Sequence, residues 1–405
     1  MISVAVLGYG VVGSGAVEVI DRNSERITRN AGHSIRVKYI LDVREFPDSP
    51  YSGLFAKDFE TIVNDPEISI VIETIGGVGA ALDFTRRALE AGKSVVTSNK
   101  ELVAMHGFEL LTVAKSKGVN YLFEASVGGG IPIIRPLANC MAANQINEIY
   151  GILNGTTNYI LTEMMKNGAE FSDALLDAQK KGYAEADPTA DIDGHDACRK
   201  ICILSSLAFG RHIYPDQVPA TGIRGVTMDD MRYAAKLGYK IKLLGRAKAV
   251  GDKVAAYVAP HLISMDSLLS GIDGVFNGIV VRGNIVGDVL FNGAGAGKLP
   301  TASAIVADVI DAVKHSDFGA LIPWEKGSPE AAVDPLQLES PWYIRTDATR
   351  EKVLHEFGEV TFAGNASNGD AVTAFKTGFM NNSKVHSIID RGINAISLFR
   401  VLGDY

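Results

Sequence analysis

The feature that most constrains the fold is a glycine turn close to the N-terminus. The segment ISVAVLGYGVVGSGAVEVI predicts a short buried strand, a turn containing Gly8, Gly10 and Gly13, and a helix. In such a unit the glycines permit a tight turn, close approach of a pyrophosphate and close packing of helix on strand. The same spacing would be weak evidence outside a strand–turn–helix unit. Here it predicts a dinucleotide-binding site, with a purely structural turn as the alternative.

Apolar strands alternate with amphipathic helices after this turn. The strand-like segments are IRVKYILD (35–42), ISIVIETIGG (68–77), KSVVTSN and VNYLFEAS, with helical patterns between them. This alternation predicts an α/β fold with a Rossmann-type dinucleotide-binding domain, in which a parallel sheet carries helices on both faces.

The pattern then changes, and the chain divides into further regions. The dinucleotide-binding domain is expected to comprise residues 1–132 and 295–315, where a glycine loop and a long helix return to it. Longer strands and hairpin-like runs predict an α+β domain at 133–294. Residues 316–340 are a predicted linker, and 341–405 a small α+β module.

Composition excludes several classes of function. The 405 residues include 39 Lys+Arg against 47 Asp+Glu, a net charge of −8, with no basic block. Such a surface suits a phosphate backbone poorly, so we expect no nucleic-acid partner. No run approaches the ~18 apolar residues of a membrane span, so we expect no membrane association. Three cysteines without metal-type spacing favour reduced thiols in a cytoplasmic protein.

Two side chains after the second predicted strand bear on the choice of cofactor. The carboxylate of Asp42 could accept the ribose hydroxyls of NAD, whereas Arg44 could pair with the 2′-phosphate of NADP. Both are present, so the choice stays open with a slight preference for NADP. Further candidate cofactor contacts in and beside the turn are Val11, Val12 and Thr74.

Lys100, in the segment TSNKELVA, follows the end of a predicted parallel strand. Ligands bind at the carboxyl ends of such strands, so this lysine could serve the cofactor phosphates, the substrate or proton transfer. A solvated lysine in the first turn of a helix is the alternative.

Two loop segments could bind ions. In EASVGGGIPII, Glu124 precedes three glycines. A carboxylate beside carbonyls that turn inward is the kind of oxygen site that binds a hard cation. A plain hinge between domains accounts for the same residues. In GILNGTTNYIL, the N–H groups and hydroxyls at a helix start, Thr156 among them, suit a carboxylate. A simple helix cap by Thr156 or Thr157 is the alternative.

The segment GYAEADPTADIDGHDACRK, residues 182–200, contains five carboxylates and ends at Lys200. It fails as an EF-hand loop, because alignment on its Asp-x-Asp-Gly run puts Thr189 first and Lys200 in place of the bidentate glutamate. Asp196 and Lys200 are four apart and could form only a helical ion pair. The functional alternative is a pocket in which carboxylates hold an ammonium and the lysine exchanges a proton.

Six segments together resemble, in order and spacing, the motifs of homoserine dehydrogenases: GYGVVG, TSNKELVA, EASVGGGIPII, GILNGTTNYIL, GYAEADPTADIDGHDACRK and GAGAGKLPTASA. The resemblance covers roughly residues 1–315 and implies that 133–294 form the catalytic, substrate-binding and dimerisation domain. It implies reversible hydride transfer between NADP or NAD and the pair L-homoserine and L-aspartate 4-semialdehyde, on the way to threonine, methionine and isoleucine. A non-catalytic NAD(P)-binding regulatory sensor and a related amino-acid semialdehyde oxidoreductase are the alternatives.

The resemblance also implies roles for particular residues. Lys200 falls on the family's acid/base lysine, and Lys100 on a second lysine near cofactor and substrate. Glu185 and Asp196 fall on the homoserine-binding carboxylates. The remaining implied or candidate contacts are Asp191 and Thr156 for the substrate, Gly182 and Gly297 for the cofactor, and Glu124 with the carbonyls of Val127, Gly129 and Ile131 for Na⁺.

The C-terminal region departs from the family pattern. Longer members carry an ACT domain for amino-acid feedback, and residues 341–405 resemble a shortened version of it. The segment YIRTDATREKVLHEF stands where the pattern usually has a D-R-P-G turn. Sensitivity to threonine is therefore left open. A homodimer or higher homo-oligomer is expected.

Overall fold

A computed structural model of the chain describes residues 1–315, 324–364 and 372–403. The chain forms two compact units, each assembled from three segments. The first comprises Met1–Gln145, Cys202–Pro215 and Gly293–Ser328, and the second comprises Ile146–Ile201, Asp216–Asn292 and Pro329–Tyr405. Part of the predicted linker, 316–323, lies outside the described residues, as do 365–371 and 404–405 of the predicted C-terminal module.

The first unit contains a five-stranded parallel sheet. Its strands are β1 (Ile2–Leu7), β2 (Ile35–Leu41), β3 (Ile68–Glu73), β4 (Ser94–Thr97) and β5 (Tyr121–Leu122). They lie in the order β2-β1-β3-β4-β5 and all pair in parallel. The chain leaves β1 for one side and returns to β3 on the other. The topological switch point, where such sheets bind ligands, therefore lies at the carboxyl ends of β1 and β3.

The helices are numbered along the chain. They are α1 (Val11–Arg22), α2 (Ser24–Ala31), α3 (Phe59–Val63), α4 (Gly79–Glu90), α5 (Lys100–Lys117), α6 (Gly155–Asn167), α7 (Phe171–Lys180), α8 (Thr189–Ile192), α9 (His195–Phe209), α10 (Met228–Lys236), α11 (Lys298–Lys314), α12 (Arg350–Phe357) and α13 (Asn382–Ile389). In the first unit α1 and α11 pack closely, because a Cβ atom on Gly15 would lie 2.8 Å from the carbonyl oxygen of Lys298. Apolar residues of β1, α1 and α11 share one core, in which Val4, Ala16 and Ile305 are fully buried.

One predicted strand is shorter than expected. The segment predicted at 68–77 is extended only through Glu73, because Gly76 and Gly77 both adopt positive φ, at +85° and +67°. This left-handed backbone is open to glycine and ends the strand. The residues after β3 are thereby released into the loop at the switch point.

The second unit is built on a larger sheet. Its strands are β6 (Ile146–Ile152), β7 (Tyr239–Val250), β8 (Lys253–Ser264), β9 (Phe276–Gly283), β10 (Gly287–Ala294, which ends in the first unit), β11 (Glu339–Ser340), β12 (Trp342–Thr346), β13 (Val360–Phe362), β14 (Thr373–Thr377), β15 (Met380–Asn381) and β16 (Ala395–Val401). Nine of them form a sheet in the order β10-β9-β6-β7-β8-β16-β12-β14-β13, and β11 pairs with β15. The pairs β9–β6, β6–β7 and β7–β8 are antiparallel.

In the C-terminal region, the helices and the strands of the nine-stranded sheet follow the order strand–helix–strand–strand–helix–strand, through β12, α12, β13, β14, α13 and β16. Its sheet is continuous with that of the preceding region, because β16 pairs in parallel with β8 at Arg400–His261 and Val401–Leu262. Its core is formed by apolar residues such as Ile344, Val353 and Phe375. The segment therefore has a core of its own but shares its sheet with the rest of the second unit.

In the part of the chain that the structure describes, no helix combines the length and the apolar character needed to cross a membrane.

Candidate active site

The glycine turn lies at the switch point and requires glycine at two positions. Gly8 has a φ of +90°, and a Cβ atom there would lie 2.7 Å from the carbonyl oxygen of Thr74. A Cβ atom on Gly13 would lie 1.9 Å from the carbonyl oxygen of Gly8. The hydroxyl of Thr74 donates to the carbonyls of Leu7 and Gly8, both at 2.9 Å. Thr74 thus fixes the turn from the neighbouring strand.

Helix α1 begins at Val11, directly after the turn. Gly10 stands at the N-cap and provides no side-chain hydrogen bond to the first turn of the helix. A helix N-terminus carries partial positive charge on its backbone N–H groups and binds anions such as a pyrophosphate. The predicted contacts at Gly10, Val11 and Val12 are therefore consecutive residues at this end of α1.

Asp42 and Arg44 lie beside the turn, after β2. The Asp42 carboxylate accepts hydrogen bonds from the Tyr9 N–H at 2.6 Å and from Arg44 Nε and Nη2 at 3.0 and 2.9 Å. The Arg44 guanidinium lowers the pKa of Asp42 to about 2, helped by the backbone N–H groups of Tyr9 and Arg44. Arg44 has a side-chain exposure of 59%, and its terminal nitrogen lies 3.7 Å from the Cβ position of Gly10. The Asp42 carboxylate thus accepts hydrogen bonds within the protein, while the Arg44 guanidinium is largely exposed beside the glycine turn.

Buried polar groups join the carboxyl ends of β3 and β4. Glu73 is fully buried and accepts hydrogen bonds from Thr97 Oγ1 at 2.6 Å and from the Ile75 N–H at 2.8 Å. Burial raises the pKa of this carboxyl. Sequence reasoning missed Glu73 and Thr97, although a polar residue ending each apolar strand was a usable signal.

Lys100 lies at the same edge of the sheet. It is the first residue of α5, and Asn99 caps that helix by accepting a hydrogen bond from the Leu102 N–H at 3.0 Å. Asn99 Nδ2 donates to the Gly77 carbonyl at 2.6 Å. Lys100 is half-buried and is fixed at the carboxyl end of β4.

The side chain of Glu124 caps a backbone segment. Its Oε1 accepts hydrogen bonds from the N–H groups of Ile133 and Ile134 at 2.6 and 2.8 Å, and its Oε2 accepts from Arg135 N and Nε at 2.9 and 3.2 Å. A carboxylate has about four lone-pair sites, and these four donors occupy them. The oxygen that Glu124 could offer to a cation is therefore its backbone carbonyl. No cluster of three or more acidic, His or Cys side chains suited to a metal ion occurs among the described residues.

The loop after Glu124 lies against the loop before α11. Gly128 and Gly129 adopt positive φ, at +73° and +52°, and a Cβ atom on Gly129 would lie 2.7 Å from the carbonyl oxygen of Gly295. The Gly130 N–H donates to the Ala294 carbonyl at 3.0 Å. Gly297, with a φ of +121°, caps α11 without a side-chain hydrogen bond. The predicted cation loop and the predicted cofactor glycine thus belong to two adjacent loops.

In the second unit, Asn154 joins the start of α6 to the acidic segment. Its Oδ1 accepts a hydrogen bond from the Thr157 N–H at 2.8 Å and caps the helix. Its Nδ2 donates to Asp191 Oδ1 at 2.7 Å and to Asp196 Oδ2 at 2.9 Å. The cap is therefore Asn154 and not Thr156 or Thr157. Sequence reasoning missed this residue, although asparagine before a helix is among the strongest N-cap signals.

Lys200 lies at the centre of this group. The residue is 8% exposed, and its Nζ donates to Asp196 Oδ2 at 2.7 Å and to the Leu153 carbonyl at 2.8 Å. Helix α9 approaches the sheet closely at Gly245 of β7, where a Cβ atom would lie 2.6 Å from Leu153 Cδ1 and 3.1 Å from Ile201 Cβ. The absence of a side chain at Gly245 permits this close packing.

Asp191 is partly buried beside Asp196, and burial raises the pKa of Asp191. The structure thus brings together two carboxylates, one lysine and the amide of Asn154. When the carboxylates are ionised and the lysine is charged, the group carries a net negative charge. Such a group is complementary to a ligand ammonium.

The loop before this group carries the remaining predicted substrate residues. Thr156 Oγ1 donates to the Tyr183 carbonyl at 2.6 Å and tethers the loop. Gly182 follows the end of α7 with a φ of +74°. Glu185 is exposed on this loop, and Gln179 Nε2 donates to its carbonyl at 3.1 Å. The structure does not place Glu185 among the buried carboxylates.

The other two carboxylates of the segment have partners of their own. Asp187 accepts a hydrogen bond from the Thr189 N–H at 3.1 Å, and Asp193 accepts from Arg224 Nη2 at 3.1 Å. They shape the loop and the start of α9.

Comparisons with known proteins agree with one another. A family model described as homoserine dehydrogenase matches residues 132–310, and one described as homoserine dehydrogenase, NAD binding domain, matches 8–124. The homoserine dehydrogenase of Pseudomonas aeruginosa is 43% identical over 356 residues, covering 86% of this chain and 82% of the relative. The crystal structure of a homoserine dehydrogenase from Thiobacillus denitrificans has a TM-score of 0.88 and 37% identity, covering 99% of this chain and 98% of that one. A hyperthermophilic archaeal homoserine dehydrogenase in complex with NADPH has a TM-score of 0.66 and 29% identity, covering 77% of this chain and 97% of that one.

The parallel sheet with its glycine turn, and the match to an NAD binding domain, define an NAD(P)-dependent oxidoreductase. Within that class, sequence identity over most of the chain shows the family. The chain belongs to the homoserine dehydrogenase family. Its activity is the interconversion of L-homoserine and L-aspartate 4-semialdehyde in threonine, methionine and isoleucine biosynthesis.

Proposed function

We propose that Lys200 is the general acid/base of this reaction. When bound, the nicotinamide cofactor accepts or supplies the hydride. Oxidation of homoserine also requires removal of the proton of the terminal hydroxyl, and reduction requires its return. The observation that carries the proposal is the buried Nζ of Lys200, held by Asp196 at 2.7 Å and by the Leu153 carbonyl at 2.8 Å. A side chain held at two points exchanges its proton at a defined position.

The proposed ligands of the substrate ammonium are Asp191 and Asp196, which the amide of Asn154 links. The start of α6, with Thr156, is proposed to receive the substrate carboxylate, because helix N-termini bind anions. Glu185 is proposed to add a third carboxylate from the loop that Thr156 tethers. Lys100, at the carboxyl end of β4, is proposed as a second lysine that serves the cofactor and the substrate.

For the cofactor, NADP is the proposed preference. Asp42 is already paired, and the exposed guanidinium of Arg44 beside the turn would pair with a 2′-phosphate. The proposed contacts of the dinucleotide are Gly8, Gly10, Val11, Val12, Gly13, Thr74, Gly182 and Gly297. The archaeal relative whose structure contains NADPH supports this choice by analogy.

Na⁺ is proposed to bind the backbone carbonyls of Glu124, Val127, Gly129 and Ile131. Carbonyl oxygens are hard ligands, and the consecutive left-handed residues Gly128 and Gly129 turn this loop sharply. The fit concerns backbone oxygens alone, because the Glu124 carboxylate already accepts four hydrogen bonds.

The remaining proposals concern organisation. Residues 1–132 and 295–315 are proposed to bind the dinucleotide, 133–294 to carry catalysis and dimerisation, and 341–405 to form a shortened ACT-like regulatory module. A homodimer is supported by apolar residues on the β9–β10 hairpin, Ile285 at 79% and Val286 at 50% exposure, next to edge strand β10. Cys140, Cys198 and Cys202 are not in disulfides, which suits a reducing cytoplasm. Initial rates with and without L-threonine test the regulatory role.

The test of the acid/base proposal compares Lys200→Ala with Lys200→Arg. We expect both variants to lower kcat in both directions by about 10²-fold or more, because arginine keeps the charge but does not exchange a proton near neutral pH. Cofactor affinity, measured by fluorescence titration, should stay within about twofold of the wild-type value, since the proposed cofactor contacts are unchanged. Wild-type turnover in either variant would remove Lys200 from the mechanism.

A further inference from the structure

Asn277 contacts the same carbonyl oxygen as Lys200. It is the second residue of β9, opposite the end of β6, where Ile152 pairs with Gly278. Its Nδ2 donates to the Leu153 carbonyl at 3.0 Å, and Lys200 Nζ donates to that oxygen at 2.8 Å. The Asn277 side chain thus adds a hydrogen bond just beyond the strand pairing, on the carbonyl that holds the lysine.

The environment of Asn277 is unfavourable for an amide. The residue is 0% exposed, and its Oδ1 has no hydrogen-bond partner among the residues that the structure describes. A buried polar atom without a partner destabilises the fold, and an apolar side chain of the same shape would avoid that cost. Asn277 therefore contributes little to stability beyond its donor, and that donor points at the carbonyl beneath Lys200.

We propose that Asn277 is a positioning residue for Lys200 and acts through the Leu153 carbonyl, an inference that rests on the proposed acid/base role of Lys200. A lysine amine has three hydrogens when charged and two when neutral. Asp196 and the Leu153 carbonyl receive two of them in either state. These two acceptors orient the amine, and therefore the direction in which it exchanges a proton. By holding the Leu153 oxygen from β9, Asn277 fixes that orientation.

Asn277 also favours the neutral form of the lysine. A carbonyl that accepts a second hydrogen bond is a weaker acceptor for the first, and hydrogen bonding to a charged form favours that form. The amide N–H of Asn277 further places a positive dipole end against the oxygen that the lysine contacts. Both effects disfavour the ammonium form, and homoserine oxidation needs the neutral amine as base.

A double-mutant cycle of Asn277→Leu and Lys200→Ala tests the proposal, with homoserine oxidation at saturating NADP followed across the measurable pH range. Leucine keeps the approximate shape and removes the donor. In the Asn277→Leu variant we expect kcat to fall about tenfold, with less than a twofold change in the KM for homoserine. The pH of half-maximal rate should rise by about half a pH unit, because the ammonium is better stabilised. In the Lys200→Ala background, Asn277→Leu should have no further effect.

Asn277→Asp is the second variant, since it keeps the size of the side chain. A carboxylate beside the shared carbonyl favours the charged lysine, so the pH of half-maximal rate should rise further than in the leucine variant. Thr162→Val is the matched control. It removes a buried hydroxyl of α6 that donates to the Asn158 carbonyl at 2.6 Å and accepts from the Gly274 N–H at 3.1 Å. It should leave the pH of half-maximal rate unchanged.

The outcomes separate this inference from the one it rests on. An unchanged kcat and pH profile in Asn277→Leu and Asn277→Asp would overturn the positioning role, as would an equal loss of rate with and without Lys200. The same shift of the pH profile in Thr162→Val would also overturn it, since the effect would then be general. Wild-type activity in Lys200→Ala alone would instead overturn the acid/base assignment, whatever Asn277 does.

Discussion

Asp196 Oδ2 lies 2.7 Å from Lys200 Nζ, one helical turn along α9, and both side chains are buried. An exposed pair at this spacing stabilises a helix only slightly. A buried pair behaves differently, because removing one partner leaves a charge without compensation in a poorly solvated place. Asn154 donates to the same Asp196 oxygen at 2.9 Å. The pair is therefore part of an organised polar group at the end of β6.

Replacing Asp196 by asparagine should impair the reaction severely. The Asp196→Asn variant keeps the shape but removes the charge that faces Lys200 and the proposed substrate ammonium. We expect kcat/KM for homoserine to fall by about 10²-fold or more, with both kcat and KM affected. Asp191→Asn should mainly raise KM, because Asp191 is a proposed ligand of the substrate ammonium and is held in place by Asn154. Initial-rate kinetics measure both.

Asp193→Asn is the matched control for these variants. Asp193 belongs to the same acidic segment but pairs with Arg224. Its substitution should change kcat/KM by less than about twofold. A loss as large as that of Asp196→Asn would mean that loop shape, and not the buried carboxylate, limits the reaction.

Substituting Arg44 should discriminate between the two cofactors. In Arg44→Gln the proposed partner of the 2′-phosphate is lost, and we expect the KM for NADPH to rise about tenfold or more. The KM for NADH should change by less than about twofold or fall, because Asp42 is freed to meet ribose hydroxyls. Arg36→Gln, on β2, is the control, since Arg36 pairs with Glu67 at the surface. Equal effects on both cofactors would contradict the phosphate contact.

Local patterns explain which parts of the fold and site could be predicted from sequence. The glycine turn predicts the parallel sheet because its residues are close together in sequence and its conformation requires glycine. The pairing of Asp196 with Lys200 follows from their spacing within one helix. The contacts of Asn277 with the Leu153 carbonyl could not be predicted, because they join residues 124 positions apart and a backbone carbonyl has no sequence signature.

Glu124 illustrates the other difficulty. A carboxylate beside a glycine loop predicts a cation ligand, but the structure directs both of its oxygens to the N–H groups at 133–135. The sequence shows that a carboxylate is present, but it does not show which hydrogen-bond donors its oxygens contact in the fold. The pairing of β16 with β8 could not be predicted for a similar reason, since it depends on short contacts, such as Arg400–His261 and Val401–Leu262, between strands that are far apart in sequence.

Stability at high pH should depend on Lys242, which is buried in β7. Its Nζ donates to Asn158 Oδ1 at 2.7 Å, the Ile272 carbonyl at 2.8 Å and Asp273 Oδ1 at 2.9 Å. Burial lowers its pKa from the ordinary 10.5 to about 8, against the opposing effect of Asp273. Between these values the unfolded chain binds more protons than the folded protein, so the free energy of unfolding rises with pH.

Lys242→Met removes this pH dependence. Relative to the variant, the wild-type protein should gain stability from about pH 8 to about pH 10.5, by at most about 3 kcal/mol, and the gain should be absent below pH 8. Urea unfolding at several pH values measures the difference. Lys240→Met is the control on the same strand, because Lys240 is only partly buried. Parallel pH curves for the wild-type protein and Lys242→Met would contradict the assignment.

The attachment of the C-terminal module should depend on Asp230, a fully buried carboxylate at the start of α10. It accepts hydrogen bonds from Arg345 Nε at 2.7 Å and from the Tyr343 hydroxyl at 3.0 Å, both on β12. Removing one partner of a buried pair typically costs about 3–5 kcal/mol. Arg345→Met should therefore loosen the module from α10.

Hydrogen exchange followed by mass spectrometry measures this loosening. In Arg345→Met we expect faster exchange in β12 and β16, while kcat at saturating substrates stays within about twofold, because none of the proposed catalytic residues lies in the module. Lys352→Met is the matched control, since Lys352 is exposed on α12 and donates to the Gly392 carbonyl of the same module. Exchange in β12 and β16 that is as slow as in the wild-type protein would show that the sheet pairing of β16 with β8 holds the module without Asp230. A loss of turnover together with faster exchange would show that the module supports the catalytic strands through their common sheet.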